Sequence, residues 1–141
     1  MDLAITVQDT IIYIRVAALV KTSRGFLFER SKKGYIFLPG GKVKLGESSE
    51  DAIKREIMEE IGMKAERTTL VSILENFYFN DKEKVQEICF VFKIDEDFTG
   101  IIPDGFTEVS IEDISKYDVR PKPMVDILKN KDKLFKHIII K

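Results

Sequence analysis

The sequence predicts an α/β fold, an α/β/α sandwich in which helices cover both faces of a mixed β-sheet. Apolar, β-branched runs that are typical of strands alternate with helical patterns along the chain. Because this mixed order leaves two sheet faces to cover, a layered arrangement is favoured. The chain has 141 residues, of which 44% are hydrophobic and 33% are charged. This is enough for one core, and we expect a single domain over residues 1–141.

Three strands are predicted before the first helix. Ile11 to Val20 is apolar and β-branched enough for a central strand, and Gly25 to Glu29 follows a polar turn. Tyr35 to Leu38 is a short strand that leads into a loop at Pro39-Gly40-Gly41. Two adjacent glycines let the backbone approach a ligand closely, although most such pairs merely make a turn.

The first helix is predicted from an N-cap at Ser48 or Ser49 to a stop at Gly62. Isoleucines recur at every fourth position and form the stripe that faces a core, and these are Ile53, Ile57 and Ile61. A rotation of about 100° per residue places three carboxylates together on the flank of that stripe. They are Glu56, Glu59 and Glu60.

These carboxylates allow two interpretations. On an exposed face, like charges four residues apart cost only roughly 0.2–0.5 kcal/mol, so a solvated acidic face is tolerable. If they are partly buried, two carboxylates about 5 Å apart repel by roughly 3 kcal/mol at an effective dielectric of about 20. A divalent cation bound between the carboxylates turns this net repulsion into a net attraction. Oxygen-only ligands suit Mg²⁺ or Mn²⁺, and neither a histidine nor a cysteine is near enough in sequence to indicate zinc.

Strands dominate the rest of the chain. Thr68 to Phe79 and Val85 to Ile94 are predicted to form a hairpin around the polar turn Asn80 to Lys84. The remaining predicted elements are a loop over Asp95 to Gly105, a short strand over Phe106 to Ser110, a helical turn from Ser110 through Ile114, a helix over Met124 to Asn130, and a final apolar strand or self-association surface over Phe135 to Ile140. A self-association surface there is compatible with a homodimer.

The loop and the first helix together carry a spaced motif. Gly41 is followed after five residues by Glu47, and after seven more by the run Arg55 to Met63, R-E-I-M-E-E-I-G-M. This pattern resembles the Nudix box, G-x5-E-x7-R-E-U-x-E-E-x-G-U with U apolar, and every constrained position is filled. The resemblance implies the Nudix fold, with the box forming a loop-helix-loop beside the sheet.

The resemblance also implies an activity. Nudix hydrolases cleave the diphosphate linkage of a nucleoside diphosphate joined to another group, by attack of water on phosphorus with Mg²⁺ or Mn²⁺. The resemblance assigns metal binding to four residues, which are Gly40, Glu56, Glu59 and Glu60. Glu56 would be a ligand or the general base, Arg55 would orient it, and Glu47 would support the loop or contact metal-bound water. From helix spacing alone, Arg55 forms a plain pair with Glu59 instead.

Further candidates lie outside the box. Glu87 and Asp104 are candidates for an additional ligand or base, but a surface position is the favoured interpretation of each. Candidates for contacts with phosphate or with a base are Arg30, Lys32, Lys33, Phe77, Tyr78 and Phe79. Aromatic residues at alternating spacing more often belong to a core.

Two other functions occur on the same fold. A non-catalytic nucleotide-binding module would be favoured by an eroded box, whereas here every carboxylate is present. An isoprenoid-diphosphate isomerase would need a catalytic cysteine, and the single cysteine, Cys89, is predicted to be a buried strand residue. The sequence leaves open both the nucleoside and the group joined to its diphosphate.

Charge and composition exclude other classes of protein. A formal net charge of −1 and a pI near 5.9 argue against a protein that binds nucleic-acid polymers by neutralising phosphates. Small anionic substrates are compatible if a metal supplies positive charge. Asp2 near the N-terminus and Arg15 within an apolar run disfavour a signal peptide and a membrane span. The lone Cys89 fits a reducing cytoplasm, and the Nudix resemblance implies a small nucleotide as substrate, so we expect a cytoplasmic protein that acts on a small nucleotide.

Overall fold

A computed structural model describes residues 1–130 and 135–141 of the chain. In this part of the chain the strands are β1 (Ala4–Val7), β2 (Thr10–Leu19), β3 (Phe26–Arg30), β4 (Ile36–Phe37), β5 (Gly40–Lys42), β6 (Thr68–Phe79), β7 (Lys84–Ile94), β8 (Phe106–Val109) and β9 (Lys136–Ile140). The helices are α1 (Ser49–Ile61) and α2 (Met124–Lys129), and a 3₁₀ turn spans Ile114–Lys116.

The larger of two sheets is mixed. Its strand order is β1-β2-β7-β6-β9, and β5 also pairs with β2. β2 runs parallel to β7, and β6 runs parallel to β9. The β1–β2, β2–β5 and β6–β7 pairs are antiparallel. A smaller antiparallel sheet has the order β4-β3-β8. The pairing confirms the predicted mixed sheet.

Alternate residues of β2 point to opposite faces of the larger sheet and enter two apolar cores. Ala17 and Leu19 pack in the core that contains residues of α2, whereas Val16 and Ala18 pack in the core that contains residues of α1. The buried residues of α1 are Ala52, Ile53 and Ile57. Helices therefore cover both faces, which confirms the predicted α/β/α sandwich.

The segment predicted as a loop at Pro39-Gly40-Gly41 is partly a strand. Gly40 and Gly41 pair antiparallel with Ala17 and Val16 of β2. A Cβ atom at position 40 would overlap the Val16 carbonyl oxygen, so glycine allows the two backbones to come this close. The loop prediction was wrong because glycine disfavours strands locally, and only the pairing with β2 reveals the strand.

The other predicted elements end within one or two residues of the observed ones. The exceptions are β1, which was not predicted, and the predicted helical turn from Ser110, which is a turn followed by the 3₁₀ segment from Ile114. β1 is an exposed edge strand with Ile5 58% exposed, so it lacks the buried face that makes a strand recognisable. The C-terminal apolar run is β9, which pairs with β6 and confirms the predicted strand.

Among the described residues, no helix is both long enough and apolar enough to cross a membrane.

Candidate active site

Both ends of α1 are fixed by the caps that the sequence predicts. The Ser48 hydroxyl accepts a hydrogen bond at 3.0 Å from the amide three residues on. Gly62 adopts a left-handed conformation with φ of 67° and ends the helix. Ile53 and Ile57 are fully buried, and Ile61 packs partly against the same core. This packing fixes the rotation of the helix and therefore the position of its charged flank.

Arg55 is the centre of a hydrogen-bond network between α1 and the preceding loop. Its Nε and Nη2 atoms donate to Glu47 Oε2 and Oε1 at 2.7 and 2.9 Å. Nη2 also donates to the carbonyl oxygen of Lys42, in β5, at 3.1 Å. Glu47 Oε1 in turn accepts a hydrogen bond from the Lys44 amide at 3.0 Å. The bidentate pair therefore ties the loop to the helix.

The two charges of this pair stabilise each other. Hydrogen bonds from the Arg55 guanidinium lower the pKa of Glu47 to about 2. Hydrogen bonding to Glu47 likewise raises the pKa of Arg55 above its ordinary value. A carboxylate with so low a pKa does not take up a proton near neutral pH. The geometry therefore favours the loop-supporting role among the two that were predicted for Glu47.

The third nitrogen of the Arg55 guanidinium faces two other carboxylates. Nη1 donates to Glu56 Oε1 at 2.9 Å and to Glu59 Oε2 at 3.3 Å. The plain helix pair with Glu59 and the orienting contact with Glu56 are thus present together. The Glu56 side chain is 14% exposed, whereas that of Glu59 is 54% exposed. Glu56 is therefore the better shielded of the two carboxylates.

Glu56 and Glu60 lie beside a third carboxylate, Glu29 of β3. Burial raises the pKa of Glu60 well above its ordinary value, and the charges of Glu29 and Glu56 raise it further. Burial also raises the pKa of Glu29, which interacts with both Glu60 and Glu56. Gly41 borders this group, because a Cβ atom there would overlap the Glu56 carboxylate. We call Glu29, Glu56 and Glu60 the carboxylate cluster.

Glu29 was missed by reasoning from the sequence. It closes β3, in which Phe26, Leu27 and Phe28 are buried. Because side chains two apart on a strand share a face, Glu29 lies on the face of Leu27, which packs in the core that contains residues of α1. A carboxylate on the core-facing side of a strand was the available signal. Its neighbour Glu60 comes from a distant part of the sequence, so the signal did not identify a partner.

The carboxylate cluster fits a divalent cation in charge and in donor chemistry. Its side chains offer only hard oxygen donors, which Mg²⁺ and Mn²⁺ prefer. Burial is the main reason why the pKa values of Glu29 and Glu60 are raised, and the negative charge of neighbouring carboxylates raises both further. Within residues 1–130 and 135–141, however, no three His, Cys, Asp or Glu side chains form a ready-made metal site. Gly40 precedes Gly41 on β5, so its backbone lies on the strand that borders Glu56.

The two candidate carboxylates outside the box differ in their environment. Glu87 is only 7% exposed, so its predicted surface position was wrong. It lies on β7 opposite Tyr13 of β2 and in the lining of a small cavity. Asp104 is exposed in the loop before β8, as predicted.

The basic and aromatic candidates lie mostly at the surface. Arg30, Lys32 and Lys33 are exposed around the turn between β3 and β4. Phe79 is 73% exposed and Tyr78 is 38% exposed, so a core role for these two aromatics was wrong. The hydroxyl groups of Tyr78 and Tyr13 lie 2.6 Å apart and share a hydrogen bond. Phe77 is half-buried, with the Lys141 ammonium 5.6 Å from its ring centroid.

A larger depression lies away from these candidates. It has a volume of about 370 Å³, and its lining includes Thr22, Phe98 and Glu108. None of the predicted site residues lines it. The carboxylate cluster is therefore the better candidate for the active site.

Comparison with known proteins identifies the family. The family model of the NUDIX domain matches residues 12–130. The chain belongs to the NUDIX domain family. This membership confirms the family indicated by the spaced motif. NUDIX hydrolases generally need a divalent metal ion and act on small nucleotide substrates.

One curated relative of this NUDIX domain is the 8-oxo-dGTP diphosphatase of Buchnera aphidicola subsp. Schizaphis graminum. The two are 32% identical over an alignment of 69 residues, and the match covers 46% of this chain and 53% of the relative. The chain therefore spans about half the length of the curated relative that it matches.

Solved structures show the same fold. A MutT protein from Bacillus halodurans has a TM-score of 0.70 and 21% identity, and the match covers 90% of this chain and 86% of that one. A MutT protein from Methanosarcina mazei Go1 has a TM-score of 0.58 and 26% identity, and the match covers 91% of this chain and 97% of that one. An ADP-ribose pyrophosphatase from Streptococcus suis has a TM-score of 0.58 and 17% identity, and the match covers 89% of this chain and 98% of that one. These likenesses confirm the predicted NUDIX fold.

Proposed function

We propose that this NUDIX domain hydrolyses the diphosphate linkage of a nucleoside diphosphate joined to another group, in a Mg²⁺-dependent reaction. The observation that carries the proposal is the carboxylate cluster, which lies beside Gly41 at the edge of the buried face of α1. Crowded carboxylates repel one another, and they also repel an anionic substrate. A divalent cation offsets both repulsions.

Oxygen ligands for that cation are available in the box. We assign it to the side chains of Glu56, Glu59 and Glu60 and to the carbonyl of Gly40, and Mn²⁺ suits the same donors. Glu29 adds negative charge beside Glu60. When bound, such an ion polarises phosphoryl oxygens and lowers the pKa of a bound water.

The protein's own contribution is to hold Glu56. Arg55 donates to Glu56 Oε1 and is itself fixed by two hydrogen bonds to Glu47. Because Glu56 is 14% exposed, it is shielded from most of the solvent while it still borders the site. We assign it the role of ligand or of general base, which accepts a proton from the attacking water. Arg55 is then a positioning residue, and Glu47 fixes Arg55.

The supporting comparisons point to nucleotides without naming one. The relative that is 32% identical is named an 8-oxo-dGTP diphosphatase, and one structure of the same fold is an ADP-ribose pyrophosphatase. Both are therefore included among the test substrates. The lone cysteine is buried and free, which fits action in a reducing cytoplasm.

The isomerase alternative loses support from the environment of Cys89. This residue is 2% exposed, and burial raises the pKa of its thiol to about 12. A buried neutral thiol is a poor nucleophile. The non-catalytic alternative would be favoured if nucleotides bound tightly without metal-dependent turnover.

The deciding experiment follows the Mg²⁺-dependent formation of nucleoside monophosphate and of the second phosphorylated product, separated by anion-exchange chromatography. The panel contains ADP-ribose, dinucleoside polyphosphates, nucleotide sugars and 8-oxo-dGTP, and the variants are Glu59→Gln and Glu60→Gln. We expect turnover by the wild type and a loss of at least about tenfold in each variant. Glu50→Gln is the matched control, because Glu50 is exposed on the first turn of the same helix. Full activity in both Glu59→Gln and Glu60→Gln would contradict the assignment of ligands.

A further inference from the structure

One face of the larger sheet is apolar, and α1 covers only part of it. It is the face of Val16 and Ala18, which pack in the core that contains residues of α1. α1 packs against β2 and β5, at the end of the sheet that holds Gly40 and Gly41. Beyond that end, apolar side chains of five strands continue the same face. We call this part the open face, and its main members are Ile5, Ile12, Phe77, Phe79, Ile88 and Ile139.

The strand registers place these side chains in rows across the sheet. Ile5 of β1 is paired with Ile12 of β2, and Ile12 is paired with Gln86 of β7. Gln86 is paired in turn with Phe77 of β6. This row therefore crosses four strands and contains a single polar side chain.

A second row lies beside the first. Ile14 of β2 is paired with Ile88 of β7, which is paired with Glu75 of β6. Glu75 is paired with Ile139 of β9. Together the two rows carry apolar side chains from one edge strand of the sheet to the other.

The open face is accessible to solvent. Ile5, Phe79 and Ile139 are 58%, 73% and 56% exposed. Ile88 is half-buried, whereas its neighbour Cys89, on the opposite face of β7, is buried. Single exposed apolar residues are ordinary, but a contiguous apolar patch over several strands marks an interaction surface.

The charged side chains that the strands place on this face have partners within the chain. Glu75 Oε2 lies 2.6 Å from His137 Nε2, and Lys84 forms an ion pair with Asp9 at 3.1 Å. The Lys141 ammonium lies over an aromatic ring of β6. The face therefore carries no cluster of like charges, which a nucleic acid or an anionic membrane would require. Two copies of such a face do not repel each other.

The size of the open face indicates a partner as large as the protein itself. Five strands about 4.8 Å apart and about six residues that rise about 3.3 Å each give a flat area of about 480 Å². Accessible area follows the side chains and is larger, so it approaches the roughly 600 Å² per partner that a stable interface needs. A single peptide strand would leave most of the face exposed.

We propose that the open face packs against the same face of a second copy of this chain, so that two molecules form a symmetric sheet-on-sheet dimer. Two sheets pack face to face about 10 Å apart with their apolar side chains interdigitated. A two-fold axis uses the same patch on both molecules, so no further surface is left unpaired. The dimer does not depend on the proposed function.

Sedimentation equilibrium tests the dimer over about a hundredfold range of protein concentration that reaches about 500 µM. We expect the mass of the wild type to rise from 16.2 kDa towards twice that value. Ile5→Lys and Ile139→Lys place a charge near opposite edges of the face, and each charge occurs twice in a symmetric dimer. Each variant should raise the dissociation constant of the dimer by at least about tenfold.

Ile101→Lys is the matched control, because Ile101 is 94% exposed in the loop before β8. It should dimerise like the wild type. A wild type that stays monomeric throughout, or equal weakening in the control, overturns the proposal. Dimerisation that Ile5→Lys weakens and Ile139→Lys leaves unchanged also overturns it, since that result indicates pairing through the β1 edge.

A second measurement needs no variant. Dissociation accompanies the unfolding of a dimer, so the melting temperature of the wild type should rise with protein concentration. A melting temperature independent of concentration overturns the proposal. Sedimentation of a monomeric wild type with vesicles of phosphatidylcholine and phosphatidylserine overturns it in favour of a membrane surface.

Discussion

Arg55 and Glu47 face each other through two hydrogen bonds of 2.7 and 2.9 Å, and this pair closes the loop that leads from β5 into α1. The same guanidinium reaches Glu56 and the Lys42 carbonyl. Residues that are eight positions apart in the sequence thus act as one unit. This contact gives a physical reason for the fixed spacing between the glutamate and the arginine of the motif.

Replacing Glu47 with alanine should destabilise the fold. Arg55 would lose its bidentate partner while remaining only 20% exposed, so we expect a loss of about 1–3 kcal/mol in the free energy of unfolding. Urea denaturation followed by circular dichroism measures it. Glu50→Ala removes an exposed ion pair with Lys54 from the same helix and should cost less than about 1 kcal/mol. Equal losses in the two variants would show that the hydrogen bonds between Glu47 and Arg55 stabilise the fold no more than an exposed ion pair does.

The same pair predicts an acid dependence of stability. The pKa of Glu47 is about 2 in the folded protein, below its ordinary value of 4.5. Above pH 4.5 the carboxylate is ionised in both the folded and the unfolded states, so its full contribution is present. As pH falls from 4.5 towards 2, the unfolded state takes up the proton first and the contribution is lost. The stability difference between wild type and Glu47→Gln should therefore be constant above pH 4.5 and shrink below it. A difference that grows on acidification would contradict this.

The substitutions Gly40→Ala and Gly41→Ala should differ in their effects on stability and on activity. At position 41 the added methyl meets the Glu56 carboxylate, which is the end of a flexible side chain. We expect Gly41→Ala to stay folded and to lose hydrolytic activity on the nucleotide panel by about tenfold or more, because Glu56 is displaced. At position 40 the methyl meets the backbone of Val16, which cannot move without disturbing the β2–β5 pairing.

Gly40→Ala should therefore lower the melting temperature, and it serves as the contrasting variant for Gly41→Ala. Thermal melting and the activity assay on both proteins check the prediction. If Gly41→Ala proves the less stable of the two, the assignment of these close contacts is wrong.

Removing the charge of Glu29 should weaken cation binding. Burial raises the pKa of Glu60, and the negative charge of the neighbouring Glu29 raises it further, as expected for two carboxylates that repel each other. With Glu29→Gln we expect the affinity for Mg²⁺ to fall by about tenfold. Calorimetric titration of Mg²⁺ measures it without substrate. Glu66→Gln changes a glutamate that is 63% exposed and should leave the affinity unaltered. An unchanged affinity in Glu29→Gln would remove Glu29 from the site.

The thiol of Cys89 should be unreactive in the native protein. It is 2% exposed and its pKa is raised to about 12 by burial, so almost no thiolate is present at neutral pH. A colorimetric thiol reagent should label it only after addition of denaturant. Rapid native labelling that substrate blocks would instead revive the isomerase alternative.

The sequence by itself determined those features that depend on neighbours along the chain. Ser48 and Gly62 bound α1, and the isoleucine repeat orients it, because caps and periodicity act over a few residues. The carboxylates of the box are therefore predictable as one flank of a helix. The strands with a buried face, such as β2, are predictable for the same reason.

Only the tertiary structure decided which distant residues meet that flank. Glu29 lies on β3, and its position beside Glu60 depends on strand order and register. Gly40 and Gly41 become a strand only because β2 lies beside them. Glu87 is buried and Phe79 exposed because of where β7 and β6 lie in the sheet. Such pairings are contacts between segments far apart in sequence, which local pattern does not encode.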